Sequence, residues 1–243
     1  ISADLAAGIG VQPTELITAN DVSPQDPTAW TATQLEEALY TQDNDLVFLG
    51  GHFSANSALA ADFETSIFSP DLADPATATA DFTNTIVFSI GCHAGYNIDN
   101  ADRIDGVTWE LDWAQAFAQR GATLIAGTGY QYGDTDFMEY SERIYADFAT
   151  ELRYGHGPVA IGDALMAAKA NYLVQTPDPR GLHRKSLMQI AIFGLPMLAV
   201  DLPQGRLDRP STTSAVATTT DYPADPGDAL DLQSADLSLS PQL

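Results

Sequence analysis

The sequence predicts an α/β fold in which a mostly parallel sheet carries helices on both of its faces. Short apolar runs with a strand-like composition recur along the chain, and the segments between them repeat apolar residues at helical spacing. Strands that alternate with helices pair in parallel, because each helix returns the chain to the same end of the sheet. A chain of 243 residues can bury the core of such a three-layer domain.

The predicted elements alternate from residue 34 onward. Thr31 or Thr33 is predicted to cap a short helix over 34–40, whose first turns are acidic. The other elements follow in chain order: strands 46–51 and 85–91, a helix over 109–118 that ends at Gly121, strand 122–127, helices 138–153 and 159–174, and strand 187–193. Residues 53–83 are a long Asp-, Ala-, Thr- and Pro-rich excursion without a clear period, and loops of that length are usually functional or mobile.

Three regions follow from this pattern. Residues 1–40 are a loop-rich N-terminal segment with one short helix, and residues 41–202 hold the alternating elements of the α/β domain. Over 203–243 the chain turns to Thr, Ser, Asp and Pro with sparse, aperiodic apolar residues, which indicates a linker or an acidic tail.

Composition and charge narrow the range of functions. Ten basic residues against 33 acidic residues give a formal net charge of −23. Such a surface repels nucleic acid and anionic membranes and suits cationic ligands or a salty exterior, so we expect no nucleic-acid partner. No apolar run reaches the ~18 residues of a membrane span. The chain starts at Ile1 without a Met or a signal segment, which predicts a processed piece of a longer precursor.

The one cysteine and one of the four histidines stand at corresponding places in the pattern. Cys92 ends the apolar run 85–91, and His52 ends the run 46–51. Because parallel strands bring their carboxyl ends to one edge of a sheet, we expect the two side chains to lie side by side. A thiol beside an imidazole is a nucleophile with its base or its proton donor. A small buried core residue is the alternative interpretation of a lone cysteine.

The other histidines fit this role less well. His93 adjoins Cys92 in sequence, but neighbours in an extended chain point to opposite faces, so we expect His52 to be the base. His156 lies in a Gly-flanked linker between helices and His183 lies among basic residues, and both positions favour the surface. With one cysteine and scattered histidines, a zinc site is not expected.

In their order along the chain these motifs resemble the gingipain-type cysteine peptidases of the caspase-like clan. The matching features are a strand followed by His, a strand followed by Gly-Cys, and the later segments 122–133, 161–169 and 193–198. The resemblance implies a doubly wound sheet and a Cys–His dyad, with Cys92 as nucleophile and His52 as its partner. It also implies a further strand and helix layer upstream. Residues 1–40 are too short to supply that layer, so we expect an upstream segment of the same precursor or another chain to provide it.

A tetrahedral oxyanion needs backbone donors, and the N–H of Cys92 is the natural first one. In the clan that the chain resembles, a Gly directly after the catalytic His supplies a second donor. Here Phe53 occupies that place, with Gly50 and Gly51 before His52. The N–H of Phe53 can still donate, although Phe adopts a positive φ only at a cost. The prediction is therefore an oxyanion hole of Phe53 and Cys92, and the alternative is a catalytically inactive caspase-like scaffold or interaction domain.

Carboxylates follow the same sheet edge. Five aspartates stand after the predicted strands: Asp99, Asp102 and Asp105 in the loop after Cys92, and Asp134 and Asp136 after strand 122–127. We expect them to form a pocket for a basic side chain of the substrate, as the resemblance also implies. The alternatives are a calcium site, although the spacing matches no standard calcium loop, and a polar surface loop.

Together these observations predict a cysteine endopeptidase that hydrolyses polypeptides after basic residues and requires no cofactor. We expect an extracellular or cell-surface location, since the acidic surface suits a salty exterior. A further alternative is a zymogen fragment of a larger secreted protein, in which the acidic tail or the 53–83 loop covers the cleft.

Overall fold

The computed structural model describes residues 1–18, 26–105, 111–133 and 136–209. Ile1–Asp208 form one compact unit. The helices are α1 Ser2–Ile9, α2 Ala32–Tyr40, α3 Ser69–Ala73, α4 Trp113–Gln119, α5 Tyr140–Glu151, α6 Ile161–Gln175 and α7 Leu182–Gln189. The strands are β1 Leu46–Leu49, β2 Ser57–Leu59, β3 Ser66–Phe68, β4 Ile86–Ser89, β5 Thr123–Gly127, β6 Val159–Ala160, β7 Ile190–Phe193 and β8 Ala199–Val200.

Four strands form the central sheet in the order β1-β4-β5-β7. β1, β4 and β5 are parallel, which confirms the mostly parallel sheet, whereas β7 runs antiparallel to β5. Strict alternation predicts a parallel fourth strand, and the helices explain the difference. Residues 187–189 end α7 instead of opening the strand, and Ile190 pairs with Gly127 at the carboxyl end of β5. The chain therefore enters β7 from the carboxyl edge of the sheet.

Two apolar cores lie on the two faces of this sheet. Val87 in β4 packs into the core that α2, α3 and α4 share, while its neighbours Ile86 and Phe88 pack into the core of α5 and α6. This division follows from the two-residue period of a strand, whose successive side chains point to opposite faces. The sheet is thus covered by helices on both sides, and the three-layer arrangement is confirmed.

Local sequence signals explain where the helices begin and end. The Thr31 N–H donates to Oε1 of Gln34 at 2.9 Å in a capping box, so Thr31 rather than Thr33 caps α2. Asp112 caps α4 in the same way with Gln115. Gly121, with a φ of 80°, ends α4 as predicted, because a left-handed residue after a helix favours glycine.

The segments 1–40, 53–83 and 203–208 contain more helices, strands or backbone hydrogen bonds than their composition predicts. Residues 53–83 hold the antiparallel β2–β3 hairpin and α3, and residues 1–40 contribute α1 as well as α2. Residues 203–208 were predicted as part of the tail, but they form backbone hydrogen bonds with earlier parts of the chain. The Gln204 N–H donates to the Gly8 carbonyl and the Leu207 N–H donates to the Arg153 carbonyl, each at 2.9 Å. Residues 210–243 of the predicted tail lie outside the described residues.

Candidate active site

Strands β1 and β4 bring His52 and Cys92 to the same edge of the sheet. The strands pair in parallel with Leu49 opposite Ser89, and His52 follows Leu49 by as many residues as Cys92 follows Ser89. Beyond the strands the two segments stay in contact, because the Phe53 side chain lies directly against Gly91. The predicted adjacency and direction of these two strands are therefore confirmed.

Cys92 lies in a tight turn, residues 91–95, that follows β4. Backbone N–H groups on both sides of it are engaged: Gly91 donates to Ser89 Oγ at 3.0 Å, His93 to the Gly129 carbonyl at 2.8 Å, and Gly95 to the Gly127 carbonyl at 2.9 Å. The Cys92 N–H has no acceptor among the described residues. Backbone donors away from water are nearly always paired, so a free one beside a half-buried thiol is available to a ligand.

Phe53 adopts an ordinary backbone conformation and turns its N–H away from the neighbouring strand. It forms an antiparallel bridge with Ala58. The two hydrogen bonds of that bridge flank Phe53: the Leu59 N–H donates to the His52 carbonyl and the Ser54 N–H to the Ser57 carbonyl, each at 2.9 Å. In such a pair the N–H of the central residue points outward from the partner strand. Phe53 is absent from the residues of positive φ, so the position does not require the Gly that the resemblance implies.

The thiol and the imidazole are both accessible, and they are not hydrogen-bonded to each other in this structure. The half-buried Cys92 thiol donates to the Gln131 carbonyl, with 3.7 Å between Sγ and oxygen. His52 is exposed, and its ring centre lies 5.6 Å from that of Phe63. Because catalytic hydrogen bonds often form only when substrate is bound, this free-state geometry leaves His52 available as a partner for the thiol.

The orientation of His93 was predicted from an extended backbone, and that assumption is wrong. The chain is not extended here, since residues 91–95 turn and His93 has a φ of 58°. Its ring packs edge-on against Tyr130 at 4.5 Å and against Tyr96 at 6.1 Å between ring centres. Burial, and after it the positive charge of Lys185, lowers the pKa of His93 below the ordinary value. The imidazole therefore stays neutral at a lower pH than a free histidine.

The described aspartates of the predicted basic-residue pocket do not converge on one buried site. The Asp99 side chain caps the 3₁₀ turn Asn100–Asp102 by accepting the Ala101 N–H at 2.8 Å. Asp105 is almost fully exposed and pairs with Arg103 at 3.7 Å. Asp102 and Asp136 are also exposed, and Asp134 lies outside the described residues. An acidic pocket for a basic side chain thus finds no support in the placement of these four residues.

A buried aspartate outside the predicted site holds the loop after Cys92 in place. Asp112 accepts the Ile98 N–H at 3.0 Å and the Gln115 N–H at 2.8 Å. Burial raises the pKa of this carboxyl, and its hydrogen bonds oppose that rise. The side-chain amide of Gln115 completes the anchor by donating to the Ile98 carbonyl at 3.0 Å. The start of α4 therefore ties down the loop that follows the candidate nucleophile.

Residues 128–133 and α7 complete the surroundings of Cys92. Gln131 packs its side chain against Gly127, and its buried Oε1 has no partner among the described residues. The Lys185 ammonium donates to Oη of Tyr132 at 2.7 Å. The sequence motif Tyr130-Gln131-Tyr132-Gly133 signals this loop, but the prediction gave none of its residues a role. Lys185 was missed because it reaches the site only through the antiparallel entry into β7.

The described residues contain neither a cluster of metal-binding side chains nor a helix that could span a membrane. Within those ranges no three His, Cys, Asp or Glu side chains group as a metal ion would require. The calcium alternative stays a prediction, since Asp134 lies outside them. Among the helices described, none combines the length and the apolar character that crossing a membrane demands.

Comparison with known proteins supports the fold. No protein-family model matches the chain, and no curated protein matches it either. Among solved structures, the chain superposes on the complex of the Porphyromonas gingivalis RgpB pro- and mature domains with a TM-score of 0.51 and 18% sequence identity. The match covers 73% of this chain and 39% of that chain. At this identity the likeness concerns architecture, and it shows a gingipain-like, caspase-like fold.

Proposed function

We propose that this chain is a cysteine endopeptidase with Cys92 as nucleophile and His52 as its acid–base partner. The observation that carries the proposal is the set of groups at the carboxyl edge of β1 and β4. On adjacent strand ends lie a half-buried thiol, an exposed imidazole and two N–H groups, those of Phe53 and Cys92, that have no acceptor among the described residues. A nucleophile, an acid–base group and a pair of oxyanion donors are the parts that acyl transfer requires.

The reaction proceeds in two halves. His52 takes the Cys92 proton, and the thiolate attacks the peptide carbonyl, so that a C–S bond forms while the carbonyl π electrons move to oxygen. The Phe53 and Cys92 N–H groups donate to that oxygen, each contributing about 3–4 kcal/mol in comparable enzymes. The C–N bond then breaks, and His52 returns its proton to the leaving amine. Water, deprotonated by His52, attacks the thioester, and the released thiolate regains the proton from the imidazolium.

A non-catalytic scaffold or interaction domain is the second candidate. It is favoured by the thiol hydrogen bond, which runs to the Gln131 carbonyl and not to His52. A carbonyl acceptor stabilises the protonated thiol, whereas a peptidase nucleophile attacks as the thiolate. Substrate binding would have to release the thiol from Gln131 in the catalytic case, and no such release is needed in a scaffold.

A peptide hydrolysis assay with a Cys92→Ala variant tests the proposed function. Wild type should cleave members of a mixed fluorogenic peptide library, and Cys92→Ala should show no cleavage above the uncatalysed rate while its melting temperature stays close to wild type. A small apolar replacement for a half-buried thiol leaves the packing nearly intact. Serine at the same position is the matched control for polarity. Equal, cysteine-independent rates in all three proteins would assign the activity to a contaminant and favour the scaffold.

We further propose that an upstream segment of the same precursor partners this chain and that the protein acts outside the cell or at its surface. β1 is an edge strand of the described sheet, and Leu46, Val47 and Phe48 are only half-buried there. An additional strand on that edge would pair the free backbone groups and cover these side chains. The acidic surface, with a net charge of −23, suits a salty exterior.

A further inference from the structure

Lys185 stands beside the candidate active site without a carboxylate partner among the described residues. Its Nζ donates to Oη of Tyr132 at 2.7 Å and lies 5.1 Å from the centre of that ring. Tyr132 directly follows Gln131, whose carbonyl accepts the Cys92 thiol. None of the ion pairs between described residues includes Lys185. In a chain with 33 acidic residues, the described part of the structure thus places no carboxylate against this ammonium near the candidate nucleophile.

The positive charge of Lys185 extends to the turn that carries Cys92. His93, the next residue after Cys92, has its pKa lowered first by burial and then by Lys185. The His93 ring packs against Tyr130, two residues before Tyr132. His93, Tyr130, Tyr132 and Lys185 are therefore neighbours along one side of the turn, and Lys185 is the cation among them.

The ammonium also has free bonding capacity. It carries three N–H donors, and among the described residues only Tyr132 uses one of them, so two remain for a ligand. The Glu142 carboxylate of α5 lies against Gly133, the residue after Tyr132, and no ion pair joins Glu142 to Lys185. A carboxylate ligand would accept charge-assisted hydrogen bonds from Lys185, which are stronger than neutral ones.

We propose that Lys185, steadied by Tyr132, is a specificity-determining residue that binds the carboxylate of an acidic substrate side chain near the scissile bond. This inference rests on the proposed peptidase function and names its substrate class. It also takes the place of the basic-residue pocket, whose described aspartates are exposed and do not converge. The aromatic rings of Tyr130 and Tyr132 would flank the aliphatic part of that side chain.

Peptide kinetics test the preference. In matched fluorogenic peptides, Asp or Glu at one position from P3 to P1′ should raise kcat/KM by at least about tenfold over Asn or Gln at that position, which is the lower end of the usual contribution of a hydrogen bond to a charged group. Lys185→Gln should remove this preference and Lys185→Arg should retain it. Arg184→Gln, which removes the charge of the exposed neighbour on α7, is the matched control and should leave the preference unchanged.

Alkylation of Cys92 tests the same charge without any need for catalysis. The chain has one cysteine, so the rates of modification by anionic iodoacetate and neutral iodoacetamide report on Cys92 alone. Lys185→Gln should lower the iodoacetate-to-iodoacetamide rate ratio about threefold at physiological salt, where distant surface charges are screened. Arg184→Gln should lower it much less.

The two experiments separate failure of the inference from failure of the proposed function. Cysteine-dependent cleavage without an acidic preference, or with one that survives in Lys185→Gln, would overturn the Lys185 assignment and leave the peptidase standing. Absence of cysteine-dependent cleavage would overturn the peptidase, and the alkylation ratio would then decide the role of Lys185. An equal ratio in Lys185→Gln and Arg184→Gln would overturn it.

Discussion

Replacing His52 with Ala should lower kcat/KM for peptide hydrolysis by about 10²- to 10⁴-fold, the usual contribution of a positioned acid–base group. His52 is the imidazole expected to take the thiol proton and return it to the leaving amine. The fold should persist, because His52 is exposed and its ring lies 5.6 Å, centre to centre, from that of Phe63. Steady-state kinetics and a thermal melt on the same preparation measure both effects.

Two other histidines supply matched controls for His52→Ala. His93→Asn removes the imidazole next to Cys92, and Asn tolerates the φ of 58° at that position. His156→Gln removes an exposed imidazole from the turn between α5 and α6. Both variants should stay within about tenfold of wild type, well short of a lost acid–base group. A His93→Asn variant as impaired as His52→Ala would mean that the wrong imidazole has been assigned to the thiol.

Gly91→Ala should reduce activity by about 10²-fold, because a displacement of about 1 Å at a reacting centre can cost that much. A Cβ on Gly91 would lie 2.7 Å from the Phe53 Cβ and closer still to its ring, so one of the two strand ends must shift. Phe53 carries one proposed oxyanion donor, and Cys92, next to Gly91, carries the other. Overpacking of this kind also lowers the free energy of unfolding by about 1–3 kcal/mol.

A second-site change tells a local clash from a general loss of structure. Phe53→Gly removes the ring that Gly91→Ala meets, so Gly91→Ala should cost much less stability in the Phe53→Gly background than in wild type, although Phe53→Gly itself loses the packing against Trp113. Gly157→Ala is the matched control, since a Cβ there meets nothing within 4 Å and the residue has no positive φ. Additive losses in the double variant, or a loss in Gly157→Ala equal to that in Gly91→Ala, would contradict the predicted clash.

The strand ends were predictable from the sequence because parallel pairing obeys a simple rule. Apolar runs that end in His52 and Cys92 alternate with helical segments, and such strands meet at their carboxyl ends. The register of Leu49 opposite Ser89 bears this out. The start of α2 and the end of α4 could also be predicted from the sequence. The capping box of Thr31 and the left-handed backbone of Gly121 each depend only on residues close by in the chain.

The rest of the site depends on contacts that no local pattern encodes. β7 enters the sheet antiparallel because α6 and α7 return the chain to the carboxyl edge, and only this brings Lys185 to Tyr132. The acidic pocket was inferred from proximity in sequence, whereas the Asp99 side chain is used to cap a turn and Asp105 pairs with Arg103. The N–H groups of Phe53 and Cys92 lack acceptors within the described residues because of how neighbouring donors pair in the folded chain, and no local sequence pattern specifies that pairing.

The most direct test of the proposed mechanism is a crystal structure of the protein after reaction with a peptide aldehyde. The mechanism predicts a bond between Cys92 Sγ and the aldehyde carbon, with the former carbonyl oxygen about 2.7–3.1 Å from the backbone nitrogens of both Phe53 and Cys92. The His52 imidazole should lie within about 4 Å of the sulfur, allowing for a looser bond than in a transition state. A peptide bound without this bond, or an adduct whose oxygen faces away from both nitrogens, would contradict it.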